Sequence, residues 1–138
     1  KLKVKSSSKK ASNKKAKPMT KNKLTSFNPL KYVIDGYTVL VGRNNKENDY
    51  LTCKFANKND IWFHTKDIHG SHVILKTTPN EIVPDDVLFE VAKLAAKHSK
   101  AKNSSHVPVD FCKVSFVKKP SGSKPGYVIY SNNKTLYV

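Results

Sequence analysis

The sequence predicts an α+β domain: an antiparallel sheet with two helices, in the order ββαββαβββ. Three observations carry this prediction. Short β-branched and aromatic runs recur between turn residues, beginning with KYVIDGYTVLVG, where Asp35-Gly36 divides two of them. One segment, PDDVLFEVAKLAAKHSK, repeats its apolar residues at helical spacing. The remaining runs read as two strand pairs and one long strand, VPVDFCKVSFV.

Each element follows from its residues. Residues 1–26 hold ten lysines, no acid and no aromatic residue. Such a segment buries too little apolar area to offset its ordering entropy, so it reads as a basic flexible linker ahead of a domain spanning residues 27–138. In KYVIDGYTVLVG both turn positions want positive φ, which predicts a type I′ hairpin. Asn44 or Asn45 then caps a helix running to about Ala56, with Tyr50, Leu51, Lys54 and Phe55 on a half-apolar face. DIWFH and HVILK read as a strand pair across the loop that holds Gly70-Ser71. In the second helix Pro84 suits the first turn, and Asp85 and Asp86 complement the N-terminal dipole. Val87, Leu88, Val91, Leu94 and Ala95 form its stripe, and Lys93, Lys97 and Lys100 load its C-terminal half. VPVDFCKVSFV reads as one long strand, KKPSGSKPG as a mobile basic loop, and YVIY with TLYV as a final hairpin.

Composition narrows the function. The length of 138 residues suits one domain with a core of useful size. The chain does not open on methionine, and we expect it to be a piece of a longer protein. No apolar run approaches the roughly 18 residues of a membrane span. No signal-peptide pattern appears. Cys53 and Cys112 are not in a CxxC pattern and read as two buried free thiols, which fits a reducing compartment. The net charge is +16, unevenly spread. Residues 27–92 hold seven basic and nine acidic side chains, whereas residues 93–138 hold nine lysines against Asp110 alone. Clustered charge of this kind favours a polyanionic partner.

The stretch WFHTKDIHGSHVIL gathers His64, His69 and His72. A structural zinc site wants four well-placed nitrogen or sulfur ligands, and neither a neighbouring cysteine nor HExxH is present. Three readings stay open for the histidines: a metal site, structural hydrogen bonds, and a polar site for phosphate and sugar groups. Trp62 stacks on a base or fills the core. Asp60 and Asp67 read either as paired carboxylates for acid–base work or, as we expect, as a turn-closing residue and a loop cap. Arg43, the chain's one arginine, is either a bidentate phosphate ligand or an ion-pair partner of Glu47 or Asp49. GxSxG, P-loop and GxGxxG motifs are absent, and KPSGSKPG lacks the following helix of a Walker loop. Its lysines suit a nucleic-acid backbone.

Five ordered blocks, GRNNKENDYLT, DIWFHTKDIHGSHVIL, HSKAKNSSHVPVDF, VKKPSGSKPGYVIY and KTLYV, together resemble NFACT-R, the RNA-binding domain of the RqcH, NEMF and FbpA-type fibronectin-binding protein family. The resemblance covers roughly residues 28–138. It departs at His69, where the family usually has proline, so His69 is not a family position. The resemblance implies an RNA-binding module rather than an enzyme, with no cofactor and no metal. Its setting would be cytoplasmic and ribosome-associated, in a quality-control factor. Such a factor binds large ribosomal subunits blocked by peptidyl-tRNA, recruits tRNA and supports C-terminal alanine tailing. tRNA is favoured over ribosomal RNA as the contacted partner. Lys100, Lys102, Lys118, Lys119 and Lys124 are the expected phosphate ligands. Arg43, Asn44, Asn45, Trp62, His64, Gly70, Ser71 and His72 are the expected polar patch. Two rivals stand beside it: a cell-surface adhesin fragment binding fibronectin, and a metal-dependent RNA-processing domain using His64, His72 and Asp67.

Overall fold

A computed structural model describes residues 26–138. The expected basic linker lies outside the described residues except for Ser26. The α+β class and the order of two strands, helix, two strands, helix and further strands are those the sequence predicts. Strands β1 (Leu30–Ile34) and β2 (Tyr37–Val41) form the first hairpin. Asp35 at φ 51° and Gly36 at φ 85° give it the type I′ geometry that the twist of the flanking strands favours. Helix α1 (Asn45–Tyr50) continues as a π-helical turn over Leu51–Phe55, so the helical path ends where expected. Asn44 is its N-cap, with Oδ1 accepting the Glu47 N–H at 2.9 Å. Strands β3 (Ile61–Thr65) and β4 (Val73–Leu75) pair antiparallel, and α2 covers Asp85–Lys97.

Strands β5 (Pro108–Lys113) and β8 (Lys134–Tyr137) complete a six-stranded sheet in the order β1-β2-β4-β3-β5-β8. Every pairing in it is antiparallel. Side chains alternate across it, and both faces are covered. Val39, Val41, Phe63, Val73, Leu75 and Val109 pack under Val87, Val91 and Ala95 of α2. Leu40, Trp62, Ile74 and Cys112 point the other way, against Leu51, Val114 and Tyr130. Cover on both faces explains why the strand runs read as nearly continuous apolar stretches. Each large side chain fully buried there contributes about 1.5–3 kcal/mol.

Three local expectations are corrected. The long strand from Val107 breaks after Lys113: a 3₁₀ turn, Val114–Phe116, follows, and the chain leaves the sheet as β6 (Val117–Lys118). The Val114 and Ser115 N–H groups bond the Asp60 and Lys58 carbonyls at 2.9 and 3.2 Å instead of a ladder partner. YVIY and TLYV do not pair with each other. β7 (Ile129–Tyr130) pairs with β6, whereas β8 pairs with β5, where Leu136 joins the α2-side core. Asp110 rewards this split, because its buried carboxylate accepts the Tyr130 and Thr135 hydroxyls at 2.6 Å each. Finally, Cys112 is buried but Cys53 is exposed. Burial pushes the Cys112 thiol up to about 11, which leaves it unreactive.

Candidate nucleic-acid interface

His72 ties together three segments distant in sequence. It lies just before β4, on the face away from α2, and is 3% exposed. Its Nε2 lies 2.9 Å from the Gly126 carbonyl, which only accepts, so Nε2 carries the proton. Nδ1 is then the acceptor, taking the Thr52 hydroxyl at 2.7 Å. The His72 N–H donates to Asn48 Oδ1 at 3.1 Å. Burial holds the imidazole neutral and lowers its pKa from 6.5 to about 3, with the neighbouring His64 acting in the same direction. His64 is likewise lowered by burial, opposed by its bond to the Gly70 carbonyl at 3.2 Å.

The loop after β3 docks on the C-terminus of α2. Ser71 N–H donates to the His98 carbonyl at 3.0 Å, and Lys100 N–H donates to the His69 carbonyl at 2.9 Å. This approach dictates Gly70. A Cβ there would lie 2.8 Å from Ser99 Cβ and 2.9 Å from Thr65 Oγ1. The loop after β6 is pinned as well. Gly126 N–H donates to Asp49 Oδ1 at 2.9 Å, and Lys119 Nζ sits 2.8 Å from the same atom. Lys119 also donates to the Lys124 carbonyl and, at 3.2 Å, to that of Tyr127. The segment expected to be a mobile basic loop is therefore tied to α1 and to His72, and Lys119 works as its clamp rather than as a free phosphate ligand.

These contacts frame an open groove of about 520 Å³. It collects seven of the expected site residues: Arg43, Asn44, Asn45, Gly70, Ser71, Lys100 and Lys102. No acidic side chain lines it among the described residues. Lys97, Lys100 and Lys102 are exposed along it: Lys97 ends α2, whose dipole favours a cation there, and Lys100 and Lys102 follow in the turn after it. A second recess of about 370 Å³ adjoins it, sharing Asn45, Asn48, His69 and Gly70. His64, Asp67, His72, Lys124 and Tyr127 line this second space. Lys118 stands exposed on β6, on neither groove.

Two expected roles change. Trp62 is 1% exposed, against Tyr130 at 4.6 Å and His64 at 5.7 Å between ring centroids, so it offers no face to a base. It belongs to the core, and its indole N–H is buried without a partner among the described residues. Arg43 takes the ion-pair alternative: Nε and Nη2 clamp the two carboxylate oxygens of Glu47 at 2.8 and 2.9 Å, and Nη2 also donates to the Ser26 carbonyl. Burial would raise the Glu47 carboxyl, but Arg43 and the N–H groups of Asn28 and Arg43 outweigh it and hold the pKa low. Nη1 is the part of the guanidinium left for a ligand among the described residues.

The metal-site reading needs His72 as a ligand, and both of its ring nitrogens are bonded within the protein. Among the described residues no group of three or more histidine, cysteine or carboxylate side chains is placed to hold a metal ion. Sequence reasoning missed Lys97, His69 and His98 as groove residues. The lysine load on the end of the second helix was the available signal for Lys97. Asp60 does close a turn, accepting Asn57 N–H at 2.8 Å, Thr77 N–H at 2.9 Å and the Lys76 ammonium.

The family model for the NFACT protein RNA binding domain matches residues 23–132. The Rqc2 homolog RqcH of Bacillus subtilis (strain 168) is 51% identical over 104 residues, which is 75% of this chain and 18% of that protein. The archaeal Rqc2 homolog aRqcH of Methanocaldococcus jannaschii is 33% identical over 78 residues, 56% of this chain and 12% of that protein. The chain thus spans under a fifth of the Bacillus relative's length. Among solved structures, the C-terminal region of the fibronectin/fibrinogen-binding protein from Streptococcus suis matches with a TM-score of 0.74 and 47% identity. That match covers 80% of this chain and 44% of the other.

Proposed function

Because the chain belongs to the family of NFACT protein RNA-binding domains, we propose that it is the RNA-holding module of a ribosome-associated quality-control factor. The observation that carries this reading is the groove at the end of α2, where Lys97, Lys100 and Lys102 line a cleft without an opposing carboxylate among the described residues. The loop after β3 that lines it is held to the end of α2 by the Ser71–His98 and Lys100–His69 backbone hydrogen bonds, so ligand binding need not order that loop first. The module captures the sugar–phosphate backbone of a structured RNA, tRNA in preference to ribosomal RNA, and itself performs no chemistry. In the full-length protein it helps dock the factor on a large ribosomal subunit blocked by peptidyl-tRNA, in the cytoplasm, in support of C-terminal alanine tailing. Three lysines that each neutralise one phosphate would give a salt slope, log affinity against log salt, of about −3. Titrating tRNA at several salt concentrations tests this. A flat response, or no binding at low salt, would sink the proposal.

The likeness to the Streptococcus suis fibronectin/fibrinogen-binding protein supports a second reading, capture of an extracellular-matrix protein at the cell surface. Immobilised fibronectin and immobilised tRNA, offered the same chain, separate the two.

A further inference from the structure

The recess beside the lysine groove differs from it in chemistry. The groove is lined by several cations, whereas the recess has one lysine, Lys124, beside the exposed carboxylate of Asp67 and the ring of Tyr127, which is 57% exposed. A carboxylate repels phosphate but accepts from the N–H groups on a base edge. A phenol ring offers a stacking face, the usual way proteins hold an unstacked base. The Tyr127 backbone is held in place: its N–H donates to the Lys124 carbonyl at 3.0 Å, and its carbonyl accepts from Lys119 at 3.2 Å. At about 370 Å³ the recess lies near the small end of the roughly 300–1,000 Å³ of small-molecule sites, so it admits one nucleotide and not a duplex. Asn45, Asn48, His69 and Gly70 border both spaces, so one strand can pass from one to the other.

We propose that this recess binds one unpaired nucleobase of the RNA. The base stacks on Tyr127 with its N–H donors toward Asp67, while the lysine groove holds the flanking phosphates. Guanine, with two adjacent N–H donors on its pairing edge, suits the carboxylate best, and uracil, with one, suits it least. The inference rests on the RNA-binding reading above and adds to it that the recognised RNA has an unpaired position.

The test uses the 138-residue chain and three RNAs: a blunt hairpin, the same hairpin with a short guanosine tail, and the hairpin with an abasic tail of equal charge. The guanosine tail should raise affinity roughly tenfold over the abasic one, within the range for a stacked base. Tyr127→Ala should abolish that gain and leave blunt-hairpin affinity and melting temperature unchanged, and Tyr127→Phe should keep it. Asp67→Asn should narrow the preference for guanosine over uridine tails. If both tails act alike, or Tyr127→Ala weakens all three RNAs equally, the inference is overturned while the RNA-binding reading stands. If none of the RNAs binds at low salt, both fall.

Discussion

Lowering the pH should unfold this domain in large part through His72, and the structure supplies the magnitude. Its imidazole is buried and neutral, with a pKa of about 3 against 6.5 when unfolded. The unfolded chain therefore binds a proton that the folded one refuses between those values. Stability is fully present above pH 6.5 and falls as the pH drops, with the loss complete near pH 3. At about 1.4 kcal/mol per pH unit, roughly 2 kcal/mol is lost by pH 5, and on the order of 5 kcal/mol by pH 3. His64 and His98 are also lowered by burial and add loss of the same sign, so the wild type alone does not isolate His72. His72→Gln keeps one acceptor and one donor but does not titrate. It should start about 1–3 kcal/mol less stable at neutral pH, from imperfect bonds to Thr52 and Gly126. The difference between their unfolding free energies from urea titration, followed from pH 8 to pH 5, should then shift by about 2 kcal/mol in favour of the variant. A gap that stays constant to within about 0.5 kcal/mol would show that His72 is not the neutral, buried donor described above.

Lys100→Ala and Lys102→Ala should each reduce the salt slope of tRNA binding by about 1 and leave the melting temperature unchanged, as fluorescence titration and thermal unfolding would show. Arg43→Ala should act on stability first. It leaves Glu47, 1% exposed, without its cation, at a cost of about 2–3 kcal/mol after discounting for the half-exposed Arg43, measurable by denaturant unfolding. Gly70→Ala drives a methyl group into Ser99 and Thr65 and should cost about 1–3 kcal/mol by calorimetry, with tRNA affinity falling too because the groove floor shifts.

Much of the fold was legible because its signals are local. The Asp35-Gly36 turn, the Asn44 cap and the stripe of α2 each depend on residues within a few positions of one another. The last third was less legible. VPVDFCKVSFV reads as an unbroken strand, and nothing in it shows that the Val114 and Ser115 N–H groups find carbonyls near Asp60. The final hairpin failed for a related reason: Tyr130 and Thr135 both answer to Asp110, 20 and 25 residues earlier, rather than to each other.

The candidate site divides the same way. By itself the sequence determined that the C-terminal third is basic, that the loop at Gly70-Ser71 is special, and which residue types are available to RNA, since charge and side-chain chemistry do not depend on the fold. Only the tertiary structure decided how those residues are used. It buried Trp62, locked Arg43 onto Glu47 and Lys119 onto Asp49, and drew seven expected residues to one groove. His72 shows why. Its partners Thr52 and Gly126 lie 20 and 54 residues away, and a histidine's role follows from whether water or protein meets its two nitrogens.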